Sequence, residues 1–522
     1  MPGGATTGIT TVWYLVAATS RVNVMTLTSS RTARTISPIT ASIPGDRTAD
    51  RADRRRWLAL LVLLPGQAMA ALDASAVNVA IPDMGRTLHA SGSALQLIVS
   101  GYTLAYAVLL VTGARLGDDL GYRRTFVAGL AGFTLASATC AVAPVTGVLI
   151  VARVLQGAAA ALMVPQVLSV LQREFVGPER ARALGLYAAV LSGGVAAGQV
   201  LGGALVSADL FGSGWRLVFA VNIPIGVALM IAAPRILPVD VPRARERLDL
   251  LGVALLSGGL AALVLPLVVG RDEGWPAWTF PTMAACPVLV GAFAGHALRL
   301  RARGGRPVLD VVLLADPGLR AGLVGVLLTM GCWASTLFAL TLFLQSGLGY
   351  SPIESGVTFV PAAIGFALAS LHWGRLPART HRWIPTAGRL LAVPTYAGVG
   401  LLARDGWSAP GAVPVMFTLG VALGCGFSPS IGQIVSRVAP RDAAGASGLV
   451  ATTTQIGFVV GVATFGSVYL TRAPRGAGES LFTICVAAAV VLLAAAAAAA
   501  RAVTARPSPG LAGPAPGPER RP

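Results

Sequence analysis

The sequence predicts an all-α integral membrane protein. Of 522 residues, 55% are hydrophobic and only 12% are charged, where a soluble domain carries about twice that charge. The mean hydropathy is +0.72, and the apolar residues fall into runs long enough to cross a bilayer. A helix rises about 1.5 Å per residue through a hydrocarbon core about 30 Å thick, so about 20 apolar residues make one crossing.

That ruler places fourteen spans, at 57–81, 97–112, 126–143, 146–171, 183–208, 217–234, 250–270, 281–298, 319–345, 354–372, 386–403, 411–431, 449–470 and 481–500. Pro144 alone divides the third from the fourth, and Arg389 interrupts 386–403, so counts of twelve or thirteen stay open. Arginine placement favours an even number, because basic residues are retained on the cytoplasmic side. With residues 1–56 inside, the inner loops hold Arg115, Arg123 and Arg124, then Arg173, Arg180 and Arg182, Arg235 to Arg247, Arg299 to Arg306, Arg375 to Arg382, and Arg437 with Arg441. Both termini are then cytoplasmic. The Thr-, Ser- and Arg-rich residues 1–56 and the Pro/Gly-rich residues 502–522 are expected to be disordered, and the apolar stretch 12–18 is too short for a span or a signal peptide.

Composition excludes several classes. All 40 basic residues are arginine, so a phosphate-binding Walker loop, which needs lysine, is absent and ATP hydrolysis is not expected. Cys140, Cys286, Cys332, Cys425 and Cys485, like His89, His296, His372 and His381, are dispersed singly; they suggest neither a metal centre nor a disulfide framework, and no cofactor is expected. The net charge of +18 is spread over membrane-adjacent loops, which suits anionic lipid headgroups better than nucleic acid.

Between the second and third spans lies the charged hinge Gly113-Ala-Arg-Leu-Gly-Asp-Asp-Leu-Gly-Tyr-Arg-Arg124. One reading is structural: Gly117 and Gly121 turn the chain while Arg123 and Arg124 anchor the third span. It leaves Asp118 near a helix C-terminus, where the dipole disfavours an anion, so the carboxylate needs a partner.

The pattern Gly113, Leu116, Asp118, Gly121, Arg123, Arg124 resembles the signature loop of the major facilitator superfamily, and Asp119 departs from it where a basic residue is usual. Leu72-Asp73-Ala-Ser-Ala-Val-Asn78-Val-Ala-Ile-Pro82 resembles the first-span signature of its fourteen-span drug:proton antiporter family. Arg153, Gln156 and Gly157 resemble the fourth-span motif, and Trp215, Arg216, Phe219, Asn222, Pro224 and Gly226 the run into the sixth span. Gln345, Gly349, Pro352, Gly356 and Pro361, then Gly445, Ser447, Gly448, Gln455, Gly457 and Gly461, resemble two later junctions; together these cover residues 57–500. In the fifth span Gly193, Gly194, Gly198, Gly202 and Gly203 are present as helix-packing positions, but Gln199 replaces an expected proline.

The resemblance implies a major facilitator fold of two six-helix bundles plus two inserted central helices, with 57–235 as the first bundle, 236–310 as the linker with the inserted pair, and 311–501 as the second bundle. A weak repeat agrees: a shift of 260 residues lays Arg115-Leu116 over Arg375-Leu376, with Ala378 opposite Asp118. It implies a conformational latch at Gly113, Asp118, Gly121, Arg123 and Arg124, and proton transfer at Arg153. Asp73, an acid deep in a span, is the other proton-coupling candidate; packing against Asn78 is its structural alternative. Asn78, Gln156, Trp333, Phe338, Gln345 and Gln455 are candidates for the substrate cavity. The expected activity is proton-coupled efflux of lipophilic drugs or antibiotics by a monomer in the bacterial cytoplasmic membrane; export of a native secondary metabolite is the alternative. An intramembrane transferase lacks a clustered nucleophilic site, and a channel lacks a filter.

Overall fold

The computed structural model describes residues 47–175, 177–238, 249–270, 273–305, 307–438 and 443–504. Most of the two ends expected to be disordered, residues 1–46 and 505–522, lies outside the described residues. The expectation fails at their inner edges, since residues 47–56 and 502–504 are helical. Residues 47–57 belong to a first compact unit, and residues from Leu58 onward form the second.

The long helices are α1 (Arg47–Leu88), α2 (Gly92–Leu120), α3 (Tyr122–Ala141), α4 (Thr146–Glu174), α5 (Gly177–Ala208) and α6 (Arg216–Ile236). There follow α7 (Leu250–Val269), α8 (Thr279–Ala302), α9 (Pro317–Gly347), α10 (Pro352–Arg375) and α11 (Ile384–Asp405). The last are α12 (Ala409–Val435), α13 (Ala443–Gly461, prolonged through Ser467–Arg472) and α14 (Ala477–Thr504). Each expected span falls within or largely overlaps one of them. Among the described residues, eleven helices are long and apolar enough to cross a membrane; α3 and α11 are outside that set, and of α5 only Ala197–Ala208 registers, as a shorter apolar helix. The reason is visible in composition: α3 is built largely of Gly, Ala, Ser and Thr, and α11 carries Arg389.

Helix starts are set by side-chain caps. Ser91, Asp249 and Asp316 each accept a hydrogen bond from the backbone N–H three residues on, and Ser351 with Glu354 forms a capping box at α10. These caps satisfy first-turn donors that have no partner within the helix.

The helices form two bundles. In the first, α4 packs on α2 and α3, and α3 on α6; in the second, α9 packs on α13 and α14, α10 on α12, and α11 on α12 and α14. Close approach depends on small residues, as at Gly461, where a Cβ would lie 2.1 Å from Gly331 O. Large apolar side chains such as Leu135, Val151, Leu155 and Val288 stay exposed, as lipid-facing positions require. The pair α7–α8 packs against itself, and one apolar cluster joins Leu256 and Leu260 of α7 to Val108 of α2, Leu319 of α9 and Leu449 of α13. The inserted pair thus touches both bundles.

The hinge is shorter than its sequence suggests. Gly113–Leu120 continues α2 as helix, and the chain breaks only at Gly121, whose φ of 96° is the left-handed region that favours glycine. Gly113 and Gly117 serve packing instead: a Cβ at either would lie 1.9 Å from Ala161 O or Gln166 Oε1 of α4. The end of the molecule holding this turn is called the hinge end below, and the opposite one the far end.

At the far end the two bundles interlock. A Cβ on Gly203 of α5 would meet Pro352 O at 2.5 Å, one on Gly356 of α10 would meet Gln199 O at 2.3 Å, and Ile353 N–H donates to Ser207 Oγ at 3.2 Å. One apolar cluster runs from Val77, Ile81 and Ile98 of the first bundle to Phe338 and Phe343 of the second.

Candidate functional site

The interior of the first bundle holds a sealed polar node. Asp73 on α1 is 2% exposed and Arg153 on α4 is 1% exposed; Arg153 Nη1 lies 2.5 Å from Asp73 Oδ2. The two residues lie 80 positions apart in sequence, and the fold alone brings them together. Gln156 Nε2 donates to Asp73 Oδ1 at 2.9 Å and to Ser137 Oγ of α3 at 2.8 Å, and Arg153 Nη1 donates to Gln156 Oε1 at 2.6 Å. Asn222 Nδ2 of α6 donates to Asp73 Oδ1 at 3.1 Å. Arg153 Nε donates to Ile98 O of α2 at 3.1 Å, and its guanidinium lies 4.3 Å from the Tyr102 ring centroid. A carboxylate with three nitrogen donors and a buried cation bound to α2 tie five helices to one polar node.

Gly157 makes this close approach possible, since a Cβ there would lie 2.1 Å from Tyr102 O. Asn78, a cavity candidate whose packing against Asp73 was the structural alternative, donates to Ala74 O and Ser75 O of its own helix. Ser137, Tyr102 and Asn222 were not among the predicted site residues. Asn222 had a signal, being part of the motif entering the sixth span; Ser137 and Tyr102 had none.

At the hinge, Asp118 is exposed and accepts a hydrogen bond from Tyr122 Oη, across the Gly121 break. Arg123 Nη1 donates to Pro234 O of α6 at 3.2 Å, Arg115 donates to Pro307 O in the linker, and Arg124 is exposed. None of these arginines reaches Asp118 in this conformation. Gln166 Nε2 of α4 fastens the helix by donating to Gly113 O at 2.7 Å.

The remaining predicted residues do not converge. Gly194, Gly198 and Gly202 face Ala71, Leu72 and Ala76 of α1, Gly203 faces α10, and Gly193 lies beside them on α5. Phe338 is fully buried in the apolar core, which places it in the packing, and Trp333 is packed against the same cluster. Gln455 lies on α13 of the second bundle. Gln345 of α9 donates to Val79 O of α1 at 2.9 Å. In the second bundle Arg389, 1% exposed, is held by Thr329 Oγ1 at 2.9 Å, Ser430 Oγ at 3.0 Å and Pro385 O at 3.3 Å. Its signal was a lone charge in an apolar run.

The linker carries a second acid–base contact. Asp249 accepts from Gly252 N–H at 2.8 Å and Val308 N–H at 3.1 Å, and its Oδ1 lies 2.6 Å from His296 Nε2 of α8. Burial pushes this carboxyl up, but the hydrogen bonds from His296, Gly252 and Val308 outweigh it and hold the group below its ordinary value of 3.8.

Two interlocking helical bundles, many apolar helices and a charge pair sealed within one bundle define a multi-pass membrane protein built as a secondary transporter, not an enzyme. The chain belongs to the Major Facilitator Superfamily, whose sequence profile matches residues 63–462. It is 38% identical over 421 residues to a probable actinorhodin transporter of Streptomyces coelicolor, covering 80% of this chain and 72% of that one. It is 36% identical over 446 residues to a puromycin resistance protein of Streptomyces alboniger, covering 83% and 85%. A tetracenomycin C resistance and export protein of Streptomyces glaucescens is 34% identical over 424 residues, covering 80% and 77%. Among solved structures, a bacterial homolog of the human lysosomal transporter Spinster, inward-facing and occupied, aligns with a TM-score of 0.64 at 18% identity, over 86% of this chain and 97% of that one. That last likeness concerns the fold alone. The setting is consistent with a bacterial cytoplasmic membrane.

Proposed function

We propose that this protein exports a small lipophilic secondary metabolite or antibiotic across the cytoplasmic membrane by alternating access, driven by proton entry. The observation that carries the coupling is the Asp73–Arg153 pair, closed off from solvent and bound to five helices. Export as the direction, and a metabolite of the producing cell as the cargo, are supported by the relatives named for actinorhodin transport and tetracenomycin C export. This favours a dedicated exporter over a general multidrug pump.

The topology belongs to the same proposal: fourteen crossings with both termini inside, the hinge end cytoplasmic and Asp118 with its neighbouring arginines as the latch that forms when the hinge end closes. Protonation of Asp73 removes the charge that Arg153 meets. Arg153 also holds Ile98 O and Tyr102 of α2, so its release reaches the helix that carries the hinge. A proton entering down about 100 mV and one pH unit supplies about 2.3 plus 1.4 kcal/mol, enough for about 500-fold accumulation of a neutral solute at unit stoichiometry.

The test is export by reconstituted vesicles from a panel of neutral antibiotics, lipophilic cations and metabolites, with internal pH recorded at the same time. Solute movement accompanied by an opposite proton flux is expected. Export unchanged when an ionophore collapses the gradient would sink the coupling.

A further inference from the structure

Two glutamine contacts of the same kind cross between the bundles at the closed far end. Gln96 opens α2 of the first bundle and is 1% exposed; its Nε2 donates to Val462 O of α13 at 3.3 Å. Gln345 ends α9 of the second bundle, and its Nε2 donates to Val79 O of α1. Each contact joins one bundle to the other through an amide and a backbone carbonyl. Each also falls in a π-helical turn: Val462 begins the π turn Val462–Gly466, and Gln345 is the middle of the π turn Phe343–Gly347. In a π turn the ladder passes from i→i+4 to i→i+5 spacing, so a carbonyl loses its usual partner and side chains are rotated off the helical stripe; such turns recur at functional positions. Ser467 Oγ reaches Gln96 Oε1 at 3.2 Å and Leu267 O of the inserted helix α7 at 3.0 Å.

The same closed end contains groups that favour opening. Along the α5–α10 seam, Gln199 and Ser355 are 1% and 0% exposed. Among the described residues, neither side-chain nitrogen nor oxygen of Gln199, nor Ser355 Oγ, has a hydrogen-bond partner. A buried polar atom without a partner costs more than a formed hydrogen bond gains.

We propose that Gln96 and Gln345 are the pins of the far-end gate, registered by the two π turns, and that the orphan amide of Gln199 is the counterweight that keeps the gate openable. The inference rests on alternating access by the two bundles and on nothing about the solute or the proton. Arg153 binds Ile98 O, two residues along α2 from Gln96, which puts one pin within reach of the polar node.

The experiment measures distances between spin labels on the full chain in lipid nanodiscs, at Arg86→Cys and Arg475→Cys, both exposed at the far end of opposite bundles. Cys286 and Cys425, the two native cysteines that are not buried, are replaced by alanine. Gln96→Met and Gln345→Met keep side-chain volume and are each expected to raise the ratio of long to short distances about threefold, and together about tenfold, the scale of one and two membrane-buried hydrogen bonds. Gly466→Ala should act like Gln96→Met, because its Cβ would lie 2.6 Å from Gln96 Nε2. Gln199→Leu should shift the ratio the opposite way. An unchanged ratio in the double methionine variant overturns the pins, and Gln199→Leu opening the far end overturns the counterweight. The distances are read without solute or gradient, so failure here leaves the export proposal standing, and absent export in vesicles leaves the gate standing.

Discussion

Asp73 and Arg153 hold each other inside a bundle, so removing either leaves a buried charge alone. Breaking such a pair costs about 3–5 kcal/mol, and Asp73→Asn is expected to lower the melting temperature in detergent and to abolish pH-dependent exchange in vesicles. A variant that keeps full pH-dependent exchange removes Asp73 from the coupling. At the linker, the folded state holds the Asp249 carboxyl below 3.8, so its contribution to stability is present above that value and fades as pH falls through the lower one. Asp249→Asn should therefore lower the melting temperature near neutral pH and flatten its decline below about pH 4, read by thermal melts across pH. Asp73 and Arg153 were legible because charge is rare within apolar spans. Their pairing was not, since nothing local relates residues 80 positions apart. Arg389 was equally visible, yet it served only to weaken a span.

For the helices, the sequence located each long segment but misjudged the hinge, because glycine and charge together look like loop. Gly113 and Gly117 are helical, and what demands them is the neighbouring α4 rather than a turn. Only tertiary packing distinguishes these two uses of glycine. Gly113→Ala and Gly157→Ala, whose Cβ atoms would lie 1.9 and 2.1 Å from backbone oxygens, should each cost about 1–3 kcal/mol through forced helix separation. Gly291→Ala on α8, where nothing lies within 4 Å, should instead stabilise by up to about 1 kcal/mol. Melting temperatures of the three variants check both directions.

For the whole molecule, the two bundles were readable from the motifs, whereas the far-end closure was not. Gln345 stood out as a possible cavity residue, and Gln96 did not stand out at all. Both owe their positions to contacts between bundles that no local pattern encodes. The proposed energy source is tested at this scale: dissipating the proton gradient should reduce solute accumulation in vesicles to the level of empty liposomes, with the residual uptake measured by filtration. The inserted pair packs against both bundles, so opening at either end must slide α2 or α13 along α7 or carry α7 with it.

The π turns have a further consequence for how this chain tolerates change. Because a π turn takes up one extra residue and leaves the helix on either side in nearly the same phase, deleting a single residue within Phe343–Gly347 or Val462–Gly466 would restore ordinary winding and re-aim only the groups inside the turn. Most apolar side chains there would find lipid or another apolar neighbour, and the helix would survive. The glutamine contact would not, so loss of one codon is expected to leave a chain that folds and inserts but whose two bundles are no longer pinned at the far end.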